Sequence, residues 1–385
     1  MYTLGIDIFS SRKEKSGVEW YTYHLLRAME VLTPPEWRVF LYGLKGEPNN
    51  EPERTLRTTN QSWEEKKLSW PPRRGYGQVR LSWEMIRRPP NVLFMPHAVI
   101  PFIHPHSVGH STVTTIHDIG FLVRPELYDA HDRLRQITGL ERARRHAAAV
   151  FSVSEVTKRD LVERAGFDEK KIIVTPLGVD HDRYRPHLDA SRVREKYKLP
   201  ASYFLYVGRV DAKKNLTTLI RAFASMTSDT KLADRPKQYH LVIVGSSGFR
   251  AQEVRDLVRD LGIEDRVHFL NWVSEDELPF LYAGAEAFVF PSAYEGFGLP
   301  VLQAMACGVP TVCSDIPALR EVAGDAALFV EPFDESAWHA ALDRILTDEK
   351  LRTDLIAHGI ARDALFSWNR CAEKTWQGIC GILSN

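Results

Sequence analysis

The sequence has no surplus of charge of either sign: its 385 residues hold 50 Lys and Arg against 50 Asp and Glu. Neutralising a phosphate backbone needs a basic excess, so the balance excludes a dedicated nucleic-acid binder. Hydrophobic residues at 44% and charged residues at 26% also exclude a disordered or acidic low-complexity chain. Cysteine is scarce, and Cys307, Cys313, Cys371 and Cys380 form no Cys-x-x-Cys pair. That argues against a disulfide framework or a zinc site and fits a reducing compartment. No apolar run reaches the roughly 20 residues that span a bilayer, and Met1 leads straight into Thr3-Leu4-Gly5-Ile6-Asp7-Ile8-Phe9 without a basic leader or cleavage site. A cytoplasmic protein is the expectation. Gly245-Ser246-Ser247-Gly248 lacks the spacing of a dinucleotide fingerprint, which disfavours an oxidoreductase.

What is present is a regular alternation of short apolar runs with amphipathic stretches, the pattern of βαβ units and parallel sheets. Strands are expected near 3–9, 38–42, 92–95, 111–116, 149–153 and 172–175, and a second series near 203–207, 240–244, 267–269, 287–290, 311–313 and 327–329. A chain of this length exceeds one core, so two doubly wound α/β domains are expected, parted at the polar stretch from Gly178 to Leu199. The charge balance is uneven between them. Residues 1–180 carry 26 basic and 22 acidic side chains, which leaves 24 and 28 for the remainder. Residues 45–77 are the least regular part, with Trp63, Trp70 and Tyr76 spaced among Pro, Asn, Glu and Arg. They read either as a surface insertion or as a loop whose aromatic side chains face a sugar or a lipid headgroup.

Three places carry chemistry. Pro291 to Pro310 runs from an apolar strand through Tyr294-Glu295-Gly296-Phe297-Gly298 into an uncharged helix expected to begin at Pro300. Ligands of open α/β sheets bind at the carboxyl ends of strands, and a helix N-terminus there favours anions. Gly208-Arg209-Val210-Asp211-Ala212-Lys213-Lys214-Asn215 follows the first strand of the second series. Its planar guanidinium and point-charge ammonium suit a diphosphate. Thr114-Thr115-Ile116-His117-Asp118 ends a first-domain strand, where an imidazole can hydrogen-bond a sugar hydroxyl or a phosphate oxygen. Asp118 there either orients the imidazole or caps the following turn.

These segments, with Ile173-Val174-Thr175-Pro176-Leu177-Gly178-Val179-Asp180 and Phe366-Ser367-Trp368-Asn369, resemble glycosyltransferase family 4 over almost the whole chain. The resemblance implies a retaining enzyme of GT-B fold: two Rossmann-like domains facing a central cleft, 1–180 for the acceptor and 181–367 for the sugar nucleotide. A C-terminal helix over about 368–385 returns to the N-terminal domain. It makes Arg209 and Lys214 a diphosphate clamp, Glu295 a contact to the donor sugar and His117 a contact to the transferred sugar. Ser16 and Gly17 approach phosphate and acceptor. Gly208, Phe297, Gly298 and Leu299 offer backbone to phosphate and sugar, and Asn271-Trp272-Val273 offers an edge to the base. Where the family has the second Glu of its Glu-x7-Glu sequence, this chain has Gln303, which leaves a catalytically weak nucleotide-sugar-binding protein as an alternative.

No cofactor or metal is expected, since fixed cations and a helix N-terminus can carry the leaving diphosphate; His97, His104, His106 and His110 lack nearby carboxylates in the sequence. The segment 145–155 looks most like bacterial mannosyltransferases of surface-polysaccharide synthesis. GDP-mannose therefore leads as donor, with a UDP-hexose as alternative, and the acceptor is a saccharide or a lipid-linked one. Arg133, Arg135, Arg142, Arg144 and Arg145 read either as a solvated helix face or as a contact to an anionic membrane.

Overall fold

The computed structural model describes residues 1–8, 17–44, 58–69, 76–106, 109–228 and 238–383. They form two compact units, one of residues 1–123, 130–178 and 368–385, the other of 124–129 and 179–367. The first unit holds a parallel seven-stranded sheet of β1 (Tyr2–Asp7), β2 (Trp37–Leu44), β3 (Trp63–Leu68), β4 (Val92–Met95), β5 (Ser111–Ile116), β6 (Ala149–Ser152) and β7 (Ile172–Val174). Its spatial order is β3-β2-β1-β4-β5-β6-β7. Val-Leu-Phe-Met in β4 and Ala-Val-Phe-Ser in β6 are wholly buried, as parallel strands covered on both faces require.

The second unit holds β8 (Tyr203–Val207), β9 (His240–Val244), β10 (Val267–Phe269), β11 (Ala287–Phe290), β12 (Thr311–Ser314) and β13 (Leu328–Val330), in the order β10-β9-β8-β11-β12-β13. In each sheet the chain winds outward from its first strand and then returns to that strand's other side. The winding direction therefore reverses between β1 and β4, and again between β8 and β11. At such a switch point the loops leaving the two strands diverge to opposite faces and leave a crevice at the carboxyl edge.

Two expectations are corrected. Residues 63–68 form an edge strand in the stretch read as irregular, paired from Val39↔Trp63 to Leu44↔Leu68. Its sequence Trp-Glu-Glu-Lys-Lys-Leu hides it, because four consecutive charges break the apolar pattern. Charged side chains are how an exposed sheet edge is protected, and Glu64 meets Arg38 at 3.0 Å and Lys66 at 2.8 Å. Trp63 and Tyr76 are buried, so neither is a loop aromatic turned to a ligand, while Trp70 lies outside the described residues. The boundary also differs: residues 124–129 pack with the second unit. There the Arg124 guanidinium lies 5.3 Å from the Phe333 ring centroid and the Lys213 ammonium 5.8 Å from that of Tyr128.

The C-terminal helix (Trp368–Leu383) packs in the first unit against the helix that follows β1 (Gly17–Val31). Trp376 donates its indole N–H to the Met29 carbonyl at 3.0 Å and its rings stand 5.5 Å from those of Trp37. Gly378 lets the helix approach the sheet, since a Cβ there would sit 2.6 Å from Phe151 and 2.9 Å from Ile173. Trp376→Ala should therefore destabilise the protein by about 3–5 kcal/mol, read by chemical denaturation; a loss below about 1 kcal/mol would show that the helix contributes little to the first unit.

Candidate functional site

The second unit's switch point is assembled by backbone pairing beyond the strand ends. Gly208 N–H donates to the Val244 carbonyl at 2.9 Å, Val210 N–H to Ser246 at 2.9 Å, and Gly248 N–H to Val210 at 2.7 Å. The loops after β8 and β9 thus run side by side, so closely that a Cβ on Gly245 would lie 2.0 Å from the Gly208 carbonyl oxygen. Gly248 gives room to Arg209, whose Nε would be 2.6 Å from a Cβ at that position. The glycines of Gly245-Ser246-Ser247-Gly248 are explained by this contact. Arg209 itself is exposed at the carboxyl edge.

The loop after β11 is tied to the same place. Ala293 N–H donates to the Lys213 carbonyl at 2.9 Å, and the Lys214 ammonium donates to the Glu295 carboxylate. The Lys214 and Glu295 side chains are only 14% and 10% exposed, so each charge is held in place largely by the other. The ammonium also lies 5.2 Å from the Phe290 ring centroid. Asn215 fixes the turn. Its φ of 52° is a left-handed conformation that Asn tolerates, and its amide donates to the carbonyls of Pro291 (3.2 Å) and Pro332 (2.6 Å) while Thr218 donates to its Oδ1 at 2.9 Å.

Glu295 leads into the helix Leu299–Ala306 through Gly298, whose φ is 115° and whose Cβ would strike Leu319 at 2.5 Å. No side chain caps this helix. Its N-terminal end is therefore a stretch of backbone dipole without a capping oxygen, a setting that favours an anion. Phe297 is buried, edge-on to Phe366 with centroids 5.8 Å apart, which leaves its backbone rather than its ring as the polar element there. Gln303 lies on this helix and its Oε1 accepts from Tyr282 Oη at 3.2 Å. Val273 is buried beyond β10, two strands away from β8, and the carbonyl of neighbouring Asn271 accepts the Gly245 N–H at 2.5 Å. The tertiary structure thus gathers Gly208, Arg209, Lys214, Glu295, Phe297, Gly298, Leu299 and Gln303 on the loops and helix after β8 and β11, with Val273 further along the same sheet.

Gly17 and His117 belong to the first unit. His117 directly follows β5; its Nε2 is 2.9 Å from the Pro96 carbonyl oxygen and its ring stands edge-on to Tyr21 at 4.7 Å. A carbonyl only accepts, so Nε2 carries the proton and Nδ1 keeps its lone pair. Burial lowers the imidazole pKa and favours the neutral form. Asp118 accepts the Gly120 N–H at 2.9 Å and so caps the turn, while Pro96 and Tyr21 orient the ring. Gly17 opens its helix with nothing within 4 Å of where a Cβ would stand, so no packing demands the glycine. Ser16 lies outside the described residues.

Sequence reasoning missed Asp7, buried at the end of β1, with His97 Nε2 3.3 Å from its carboxylate. Its signal was the one used for His117, a polar residue closing an apolar strand. His97 thus has a carboxylate beside it, contrary to expectation. Asp180-His181-Asp182, an Asp-x-Asp sequence, was also overlooked; Asp180 faces Arg183 at 3.4 Å, and His181 meets Asp363 at 2.8 Å. Among the described residues, no three His, Cys, Asp or Glu side chains are grouped to hold a metal.

Residues 189–362 match the family described as "Glycosyl transferases group 1", and residues 15–183 match "Glycosyltransferase Family 4". The chain is 35% identical over 278 residues to the O-antigen chain mannosyltransferase B of Escherichia coli, covering 71% of each protein. It is 31% identical over 249 residues to the O-antigen chain mannosyltransferase RfbU of Salmonella typhimurium, covering 65% of this chain and 63% of that one. Among solved structures it is similar to Anabaena Alr3699/HepE in complex with UDP-glucose, with a TM-score of 0.75 at 17% identity over 99% of this chain and all of that one.

Two outcomes follow from the geometry. Lys214→Met leaves the Glu295 charge without its partner and should cost up to about 3 kcal/mol, whereas Lys214→Met with Glu295→Gln should recover much of that loss. Denaturation of the four proteins measures the coupling, and additive effects would show that the pair is not a unit. His117 titrates below the ordinary imidazole value, so it contributes stability above pH about 6.5 that is lost as the pH falls, opposite in sign to His181, which Asp363 raises. Melting temperatures from pH 5 to 7.5 should rise less steeply in His117→Gln than in the parent; equal slopes would contradict a half-buried, neutral imidazole.

Proposed function

The chain belongs to glycosyltransferase family 4 and is a hexosyltransferase of GT-B fold, and on that footing we propose that it moves mannose from GDP-mannose, with retention as an α linkage, to a lipid-linked saccharide. The observation that carries the donor side is the convergence, at the switch point of the second unit, of Arg209, Lys214 and the uncapped helix N-terminus behind Gly298. Cleaving a sugar–phosphate bond leaves negative charge on the departing diphosphate, and fixed cations and aligned N–H groups stabilise that charge without reorganising. Glu295 holds Lys214, and in this reading its loop also offers the contact to the donor sugar. No metal is needed for this step. Within the first unit, His117 is neutral and its Nδ1 is able to accept from a hydroxyl.

Retention without a covalent intermediate is the reading we adopt, with the leaving phosphate helping to deprotonate the acceptor hydroxyl on the same face of the sugar. The mannosyltransferase relatives support mannose as the sugar and a surface polysaccharide as the product class. A second reading, a UDP-hexose donor, is favoured by the structural relative solved with UDP-glucose. Gln303 keeps the hydrogen-bonding capacity of the position while removing a charge near the donor, which favours tuned affinity over lost catalysis.

A thermal-shift panel of GDP, UDP, GDP-mannose and UDP-glucose, paired with a transfer assay, tests the proposal. GDP and GDP-mannose should raise the melting temperature and UDP should not, and Arg209→Ala should lower transfer about 100-fold or more with the fold intact. Stabilisation by UDP alone would move the donor to the second reading. Stabilisation by none would leave a protein that does not bind sugar nucleotides and sink the proposal.

A further inference from the structure

The face of the first unit around residues 79–103 carries an apolar surface with no role in the site above. The backbone from Tyr76 to Arg87 is one continuous helical segment, a π turn passing into an α-helix. One side buries Tyr76, Leu81 and Met85 in a cluster with Tyr42, Leu68, Leu93 and Met95. Val79, Trp83 and Ile86, spaced i, i+4 and i+7 on the opposite side, are 48%, 54% and 55% exposed. Beside them lie Phe102 and Ile103, 62% and 45% exposed, on a loop that the helix itself positions. Ile103 N–H donates to Ser82 Oγ at 2.9 Å and the Gln78 amide to the Ile100 carbonyl at 3.3 Å.

Five large apolar side chains on one exposed face are more than a solvated surface of this kind ordinarily shows. On the described helix the charge left exposed has one sign. Arg87 and Arg88 are exposed at the end of the helix. The acidic residue on the helix, Glu84, is neutralised by Arg80 at 3.0 Å. By contrast, the helix Ala130–His146, whose arginines the sequence offers either as a solvated face or as a contact to an anionic membrane, directs them inward or to its own acids. Arg133 and Arg142 donate to carbonyls of Phe121 and Pro101, Arg135 meets Asp132 and Arg144 and Arg145 share Glu141.

We propose that the face made by Val79, Trp83, Ile86, Phe102 and Ile103, flanked by Arg87 and Arg88, docks on an anionic lipid surface. Aromatic and aliphatic side chains enter the headgroup boundary while the arginines meet lipid phosphates. The inference deepens the reading of a lipid-linked acceptor, since a docked enzyme meets its acceptor in two dimensions; its test uses no turnover, so the two can fail separately.

The full chain is floated with vesicles of phosphatidylcholine alone and of phosphatidylcholine with phosphatidylglycerol. Binding should need the anionic lipid and fall with added salt. Trp83→Ser with Ile86→Ser should weaken partitioning tenfold or more. Arg87→Glu with Arg88→Glu should weaken it at least as much, since each arginine near an anionic surface changes it about fivefold. Arg144→Glu, on the helix with internal partners, should change it little. Unaltered far-ultraviolet circular dichroism in each variant confirms that the fold is intact. Binding indifferent to anionic lipid or to both surface pairs would overturn the proposal, as would a dimer in sedimentation velocity that the Trp83→Ser, Ile86→Ser protein loses, which would make the face a self-association surface.

Discussion

The point at which strand order reverses governs the chemistry of each unit. A parallel sheet covered on both faces leaves polar side chains few places to stand, and the carboxyl edge is the principal one. Where neighbouring strands send their chains to opposite faces, that edge opens and residues distant in sequence meet. β8 and β11 are 80 residues apart, yet they are adjacent, and the Lys214 and Glu295 charges touch because of it. The first unit repeats the arrangement with Asp7 ending β1, His97 after β4 and His117 after β5, three neighbouring strands of one sheet.

Within the second unit the edge is held by backbone rather than by side chains. Gly245 and Gly248 admit a distance between two loops that a Cβ would forbid, Gly208 clears the Tyr206 hydroxyl, and Asn215 locks the turn that brings Lys214 round. This rigidity places two cations of different character. Arg209 is exposed, while Lys214 is largely buried and held in place by Glu295. A site of this kind needs little rearrangement to receive an anion, which is the condition under which fixed charges stabilise a leaving group.

Outside the site, charge and aromatic side chains are distributed by geometry that single residues do not reveal. The charged run Glu64-Glu65-Lys66-Lys67 protects a sheet edge, and Trp63 and Tyr76 fill the core instead of facing a ligand. The arginines of 133–145 are absorbed by carbonyls and by Asp132 and Glu141. The exposed apolar face belongs instead to Val79, Trp83 and Ile86, whose helical spacing is plain once their backbone is known to be helical.

Most of the strand series was legible in the sequence, because buried parallel strands are continuous apolar runs and their periodicity is local. The loops that carry Arg209, Lys214, Glu295 and His117 were legible for the same reason, as polar residues that end such runs. The sequence by itself also determined the glycines and the asparagine that the loops demand. Which of these residues touch was decided only by tertiary structure: the pairing of Lys214 with Glu295, the turn-capping role of Asp118, the partnership of Asp7 with His97 and the edge strand at Trp63. Each depends on strand order or sheet register, which link segments far apart along the chain, and no local pattern of side chains encodes a distance of that kind.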